Sequence, residues 1–237
     1  MESRALEPEW LDALEADDPR AVRSRRDLRI INGWMRQATL MARALARHCA
    51  PARPGAPEGP RRLIDLGSGD GTFLLRVARR LRWRHVTALL VDQRDIVTPA
   101  TRAAFAALGW RAESLAADAR DVLAQGVPVD VITANLFLHH LTAEDLRGLF
   151  ADAARCTSLL VACEPRRNAF AYAASRMVWA LGCNDVSRHD AAVSVRAGFS
   201  GRELAALWPD ASAWRVEEHA ALPFSHCFVA QRRGATS

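Results

Sequence analysis

Short apolar runs and amphipathic segments alternate along the chain from residue 62 to residue 163. The apolar runs have the length of strands, and the segments between them carry apolar residues at helical spacing. Because strands that alternate with helices pair in parallel through right-handed crossovers, we predict an α/β, Rossmann-like fold with a mostly parallel sheet. Its first five strands are predicted at residues 63–66, 86–91, a short run before Asp118, 129–134 and 158–163.

Helices are predicted between these strands and cover both faces of the sheet. Residues 73–81 are amphipathic, and Pro99 suits the first turn of a helix that runs to residue 108. Thr142 and Asp145 carry the capping chemistry that opens a third helix.

The first 60 residues form a predicted N-terminal helical lid and linker. Residues 28–45 carry apolar positions at helical spacing, and residues 48–60 hold four prolines and two glycines. We therefore divide the chain into residues 1–60 and a ligand-binding domain of residues 61–237.

A long insertion at about residues 166–200 follows the fifth strand. Within it, residues 168–181 are predicted as a helix and residues 183–190 as a polar loop. A capping box at 200–203 predicts a further helix to residue 207. The last two strands, predicted as a hairpin that brings the total to seven, are residues 214–218 and 225–231.

The turn after the first strand is the most informative segment. Gly67, Gly69 and Gly71 alternate there, and Asp65 stands two residues before them. Glycine allows a sharp bend and lets backbone lie against a ligand, while the helix N-terminus behind the turn offers unpaired N–H groups. A dinucleotide site prefers a glycine where this chain has Thr72. The turn predicts a site for a ligand with a polar or negative end.

The alternate glycines with Asp65 resemble motif I of the class I S-adenosylmethionine (SAM) methyltransferases. Later strand ends carry further landmarks in the matching order: Asp92, Asp118, and Asn135 before a histidine pair. The resemblance covers residues 62–163 well and the rest loosely. It implies a SAM-dependent methyltransferase whose seven-stranded sheet has an antiparallel last strand.

The resemblance implies a cofactor site at the carboxyl ends of the strands. Asp65 would orient the turn or hold the amino group of SAM, Asp92 would bind both ribose hydroxyls, and Asp118 would meet the adenine amino group. Residues 32–36 resemble the lid helix of ubiquinone/menaquinone-biosynthesis methyltransferases, which assigns Arg36 to the methionine carboxylate. The residues assigned to the cofactor are Asp65, Gly67, Ser68, Gly69, Gly71, Asp92, Gln93, Asp118, Ala119, Asn135 and Arg36.

Three histidines are candidates for a base that takes a proton from the methyl acceptor. His139 and His140 follow the fourth strand, whose end lies near the methyl group in the resembling fold; a purely hydrogen-bonding role is the alternative. His189 lies in a polar cluster with Arg188, and the planar fork of Arg196 suits a carboxylate or phenolate. Arg188 and Arg196 are therefore assigned to the substrate.

Composition excludes several chemistries. All 32 basic residues are arginine, so a lysine base, a Schiff base and the Lys-Asp-Lys-Glu arrangement of ribose methylation are excluded, although the net charge is +5. The five cysteines are far apart and form no CxxC, so reduced thiols are expected. No apolar run reaches 18 residues. We expect a cytoplasmic protein with no membrane or nucleic-acid partner, as a monomer or homodimer.

The remaining pattern favours a small-molecule acceptor. No Asp/Asn-Pro-Pro-aromatic sequence follows the fourth strand and no Asp-Asn metal site follows the fifth, so no metal is expected. Residues 186–199 resemble methyltransferases encoded with type III polyketide synthases, which implies a phenolic, quinone-like or polyketide-derived acceptor methylated on oxygen. Methylation on carbon or nitrogen stays open. The alternatives are an RNA or protein methyltransferase, a non-catalytic partner subunit with the SAM fold, and a nicotinamide dehydrogenase.

Overall fold

A computed structural model of the chain describes residues 3–49 and 62–234, so the predicted linker lies almost entirely outside the described residues. One sheet runs through the domain in the order β3-β2-β1-β4-β5-β7-β6. The first five strands are parallel, and β7 is antiparallel to both of its neighbours. The predicted fold is thereby confirmed. The strands are β1 Arg62–Leu66, β2 Val86–Asp92, β3 Trp110–Ala116, β4 Val131–Asn135, β5 Leu159–Pro165, β6 Trp214–Ala221 and β7 Ser225–Arg232.

Helices lie on both faces of the sheet and separate two apolar cores. Successive residues of a strand point to opposite faces, so Leu63 enters one core and Ile64 the other. The capping box of Thr142 and Asp145 is present at the start of α7. The α-helices are α1 Trp10–Ala13, α2 Pro19–Trp34, α3 Gln37–His48, α4 Thr72–Leu81, α5 Pro99–Ala107, α6 Ala119–Ala124, α7 Ala143–Cys156, α8 Ala169–Ser175 and α9 Asp185–Ala197.

The single helix predicted over residues 28–45 is wrong, because the chain breaks there into α2 and α3. Arg36 has a φ of 55° at the break, in the left-handed region. α3 buries Met41 and Leu45 against the sheet and α4, whereas α2 packs against α9. The two helices bury their faces against different elements, so the chain has to change direction between them.

The polar loop predicted over residues 183–190 is also wrong, since residues 185–190 form the first part of helix α9. Asn184 caps the helix by accepting a hydrogen bond from the N–H of Ser187. Val186, Val193 and Ala197 recur at helical spacing and are buried on one face. Arg188 and His189 lie between the buried positions on the outer face, and these polar residues disguised the periodicity.

The α-helix predicted after the capping box at 200–203 is replaced by turns and a 3-10 helix, Ala205–Leu207. Glu203 accepts a hydrogen bond from the N–H of Ser200, as a capping box requires. The Ser200 hydroxyl, however, faces the buried guanidinium of Arg167, which also forms an ion pair with Glu203. The Ser200 hydroxyl is thus engaged by a tertiary contact with Arg167, and only the Glu203 half of the capping box forms.

The predicted C-terminal hairpin is confirmed and extends further than the sequence indicated. β6 and β7 pair from Trp214 with Arg232 to Ala221 with Ser225. Among the residues that the structure describes, no helix has both the length and the apolar character needed to cross a membrane.

Candidate active site

The glycine turn after β1 lies at the carboxyl ends of the parallel strands. Gly67 has a φ of 65°, and a Cβ placed there would lie 2.6 Å from the ring of Phe137. Gly69 has a φ of 53°, and a Cβ there would point into open space. A side chain at Gly67 would collide with the protein, whereas one at Gly69 would occupy the space in front of the turn. The backbone is therefore exposed to a ligand at Gly69.

Asp92, at the end of β2, holds the glycine turn in place. Its carboxylate accepts hydrogen bonds from the backbone N–H groups of Gly69, at 2.9 Å, and Arg94, at 3.1 Å. The side chain is half-buried, and carboxylate oxygens have more than one acceptor site each. Asp92 thus retains capacity to accept hydrogen bonds from a ligand, and its ribose-binding role stays a prediction.

Asp65, at the end of β1, is a buried carboxyl that lines the same crevice. Burial raises its pKa, the Thr133 hydroxyl at 2.6 Å lowers it, and the negative charge of Asp92 raises it, with a result of about 7. A cationic ligand group at this position would favour the ionised carboxylate. The side chain is consequently suited to an ammonium group.

A crevice opens in front of the turn and is covered by α2. Five of the residues predicted to bind the cofactor line this crevice: Asp65, Gly67, Ser68, Gly69 and Asn135. The Ser68 hydroxyl and the Asn135 side-chain oxygen are buried and have no hydrogen-bond partner within residues 3–49 and 62–234. Because buried polar atoms are normally hydrogen-bonded, these two mark a place for a polar ligand.

The arginines at this crevice differ from the one that the sequence indicated. Arg36 is exposed at the break between α2 and α3 and is not among the residues that line the crevice. Arg25 and Arg29, on the preceding turns of α2, do line it. Arg29 forms an ion pair with Asp70 at 3.0 Å. Its guanidinium is therefore tied to the turn itself.

Four other residues that were predicted to bind the cofactor are not among the residues that line the crevice. Gly71 begins α4, and a Cβ there would approach a Leu90 methyl at 3.0 Å, so this glycine serves packing. Gln93 is exposed beyond β2, and Ala119 is buried in the first turn of α6. Asp118 caps α6, and its ion pair with Arg120, at 2.7 Å, lowers its pKa.

His139 is buried between two carboxylates. Its Nδ1 lies 2.8 Å from Glu164, and its Nε2 lies 3.5 Å from Glu9. Glu164 also accepts hydrogen bonds from the backbone N–H groups of Phe137, Leu138 and His139. Burial by itself would lower the pKa of His139, but the two carboxylates outweigh it and raise the pKa to about 9. The ring is therefore an imidazolium at neutral pH.

This raised pKa predicts a pH-dependent stability. The stabilisation from charged His139 is fully present below its unfolded pKa, about 6.5, and is lost as the pH rises through the folded value of about 9. We expect the free energy of unfolding to fall by roughly 2 to 3 kcal/mol over this range. Urea unfolding of the wild type and of His139→Gln at several pH values checks it. An equal pH dependence in both proteins would contradict the assignment.

His140 is only partly exposed and stacks on His139, with ring centroids 4.1 Å apart. Burial lowers the pKa of His140, and the positive charge of His139 lowers it further. Its Nδ1 lies 3.9 Å from the carboxylate of Asp12. The His140 ring faces the N-terminal segment, and His140 is not among the residues that line the crevice.

A second, apolar cavity adjoins the crevice and measures about 1040 Å³, counting the space open to solvent. It lies between the N-terminal segment, α2, α8 and α9, and shares Leu28 and Leu136 with the crevice. Carboxylates of Glu9 and Asp190 reach it, and no arginine lines it in the described part of the chain. The largely apolar lining of the cavity suits a small organic molecule. Its serines are Ser24, Ser175, Ser187 and Ser194.

The residues predicted for the second base and the substrate anchors lie on the outer face of α9. His189 stacks on the ring of Trp10 at 4.0 Å, Arg188 is exposed, and Arg196 pairs with Glu7 at 2.6 Å. All three face a separate surface depression rather than the apolar cavity. On the inner face, Asp190 accepts hydrogen bonds from the N–H groups of residues 10 and 11.

Sequence reasoning missed two groups of residues at the site. Arg25 and Arg29 share a helix face with residues 28 and 32, and this spacing was a readable signal. Glu9 has no such signal, because its contacts with His139 and Ser194 join residues far apart in sequence. Only the folded chain brings Glu9 to the cavity.

Comparisons with known proteins place this geometry in context. Residues 63–158 match the family model of a methyltransferase domain. No protein of curated function matches the sequence significantly. Among solved structures, an O-methyltransferase family protein from Burkholderia thailandensis is 23% identical over 93% of this chain, with a TM-score of 0.60. This chain spans only 62% of the length of that protein.

Two further solved structures share the fold. The plantazolicin methyltransferase BpumL, solved with S-adenosylhomocysteine, is 12% identical, with a TM-score of 0.64 over 92% of each chain. The pyocyanin biosynthetic protein PhzM is 18% identical, with a TM-score of 0.55 over 94% of this chain and 60% of its own. At these identities the likeness shows the fold alone.

Proposed function

We propose that the protein transfers the methyl group of SAM to an oxygen of a small, apolar molecule, and the match of residues 63–158 to the family model of a methyltransferase domain supports this. The observation that carries the proposal is the apolar cavity, which adjoins the glycine crevice through Leu28 and Leu136. A donor crevice and an acceptor cavity that share a wall satisfy the requirement that nucleophile and methyl group meet.

The residues at the crevice fit the chemical groups of SAM. The carboxyl of Asp65 suits the ammonium group, and Asp92, beside the turn, suits the ribose hydroxyls. The unpartnered hydroxyl of Ser68 can donate or accept a further hydrogen bond, and the unpartnered amide oxygen of Asn135 can accept one. Arg25 and Arg29, rather than Arg36, are the arginines near enough to serve the carboxylate. Bound SAM supplies an electrophilic methyl group on a sulfonium.

The acceptor must lose a proton as its oxygen is methylated. Glu9 and Asp190 are the carboxylates that line the cavity, and His139 lies behind Glu9, held in turn by Glu164. With a pKa of about 9, His139 already carries a proton at neutral pH and is a poor first acceptor.

Burial raises the pKa of Glu9, but the hydrogen bond and charge of His139 lower it below its usual value, so the carboxylate is ionised at neutral pH. Because Glu9 lines the cavity, we assign it as the group that takes the proton and His139 as the residue that positions it. His140 and His189 receive no role in this step.

The carboxylates of Glu9 and Asp190 also constrain the acceptor. An anionic group in this cavity would be repelled, since no arginine lines it in the residues described. Apolar aromatic hydroxyls satisfy both the lining and the proton acceptor. Incubation with labelled SAM and a panel of phenols, hydroquinones, amines and carboxylated analogues tests this, with the methylated atom located by NMR. Transfer to amines or carboxylates, with phenols inert, would overturn the proposed acceptor class.

Substitution of Glu9 tests the assigned base. Glu9→Gln keeps the size of the side chain but removes its basicity, so turnover is expected to fall by roughly a hundredfold or more while SAM affinity stays unchanged. Glu7→Gln is the matched control, because Glu7 lies two residues away in a surface ion pair with Arg196. Normal turnover of Glu9→Gln at saturating acceptor would remove Glu9 from the chemistry.

A further inference from the structure

The four most exposed large apolar side chains in the described part of the chain lie around the mouth of the apolar cavity. Trp34, Phe170, Met177 and Trp179 are 69%, 62%, 60% and 58% exposed, respectively. Single exposed apolar residues are ordinary, but a contiguous group of this size marks an interaction site. We call these four residues, with Leu181, the cavity rim.

The cavity rim is continuous in space although it comes from separate elements. Trp34, Met177 and Leu181 all line the apolar cavity. Phe170 stacks on Phe224, another lining residue, with ring centroids 5.6 Å apart. Trp179 lies between Met177 and Leu181 in the 3-10 helix Val178–Leu181. The rim therefore surrounds the entrance through which an acceptor would pass.

The helix beside the cavity rim carries an excess of arginine. α2 has five arginines and one acid, Asp27, which is buried. Arg20 and Arg29 form ion pairs with Asp18 and Asp70, and the other three arginines keep the helix positively charged.

Arg23 donates a hydrogen bond to the carbonyl of Gly182, so α2 and the end of the rim segment are joined. Residues 169–182 contain Arg176 and no acid. Exposed tryptophans flanked by arginines suit an anionic lipid surface, where the rings enter the interface and the guanidinium groups meet headgroups.

We propose that the cavity rim docks on the surface of an anionic bilayer. A second copy of the chain fits less well, because a twofold contact brings the same patch of each subunit together and would oppose the α2 arginines of one copy to those of the other. Docked in this way, the cavity opens toward the bilayer, where an apolar acceptor concentrates. This last consequence rests on the proposed function, whereas the docking itself does not.

Sedimentation of the full chain with lipid vesicles tests the proposal. Binding is expected with vesicles that contain phosphatidylglycerol and little or none with phosphatidylcholine alone. Raising the salt from about 0.1 M to about 1 M should weaken binding, since it screens the arginines. SAM titration without vesicles reports separately on the cofactor site. Equal binding to both vesicle types, or none to either, overturns the proposal.

Rim variants locate the contact. Trp34→Ser combined with Trp179→Ser is expected to lower partitioning into anionic vesicles by roughly tenfold or more, because two interfacial rings are removed. Leu115→Ser and Val127→Ser are matched controls, since both remove an exposed apolar side chain outside the rim. Unchanged binding of the double variant overturns the proposal. So does a dimer in light scattering that the double variant converts to monomer, because a second copy then covers the rim.

Discussion

Replacement of Asp92 by alanine is expected to weaken SAM binding by roughly a hundredfold, with the fold intact. If Asp92 binds the ribose as proposed, the substitution removes charge-assisted hydrogen bonds to the ribose hydroxyls, each worth about 1.5 to 3 kcal/mol. It also removes the acceptor of the Gly69 N–H, so the turn under the ligand loses its brace. Isothermal calorimetry with SAM measures the change, and circular dichroism verifies the fold.

The chain offers a matched control three residues away. Asp95 is an exposed carboxylate beyond the same strand and pairs with Arg102 at 3.4 Å. Asp95→Ala should therefore leave SAM affinity within about twofold of the wild type, as expected of a surface ion pair. Equal SAM affinity in Asp92→Ala and the wild type would show that the ribose contact is assigned to the wrong residue.

Replacement of Glu164 by alanine is expected to destabilise the protein by about 3 to 5 kcal/mol. The carboxylate is fully buried and accepts hydrogen bonds from three successive backbone N–H groups and from the His139 ring. Alanine would leave those donors unsatisfied in the interior, where each lost partner costs about 1 to 3 kcal/mol. Urea unfolding at pH 7 measures the difference.

Two further variants distinguish the cause. Glu144→Ala removes an exposed glutamate from the first turn of α7 and should change stability by less than about 0.5 kcal/mol. Glu164→Gln preserves volume but presents an N–H group to other donors, so it should recover only part of the loss. A Glu164→Ala protein within about 1 kcal/mol of the wild type would mean that the buried N–H groups find other partners.

The alternation of apolar runs and helical segments was enough to predict the sheet. The central parallel strands β1, β4 and β5 are buried on both faces, and each is therefore a short apolar run in the sequence. The alternate glycines after β1 likewise predicted the turn, because positive φ and a close approach to Phe137 permit little else at Gly67. These features are decided by residues that are close together in the sequence, so they can be predicted from the sequence alone.

The helix break at Arg36 and the helix over 185–197 could not be read in the same way. Arg36 takes the left-handed conformation only because α2 and α3 pack on different partners. In α9, the polar side chains of residues 188 and 189 hid an apolar face that becomes apparent once its partners are known. Both errors arose where packing, rather than local preference, decides the conformation.

The sequence by itself determined the sheet with helices on both faces and the glycine turn. It also determined the acids at the strand ends, because parallel topology brings every such strand end to one edge of the sheet. Tertiary structure alone decided which side chains face the acceptor. It turned His189, Arg188 and Arg196 outward on α9, and it brought Glu9 to His139 across 130 residues of chain. No local pattern encodes a contact between segments so distant, since their proximity exists only after the core has formed.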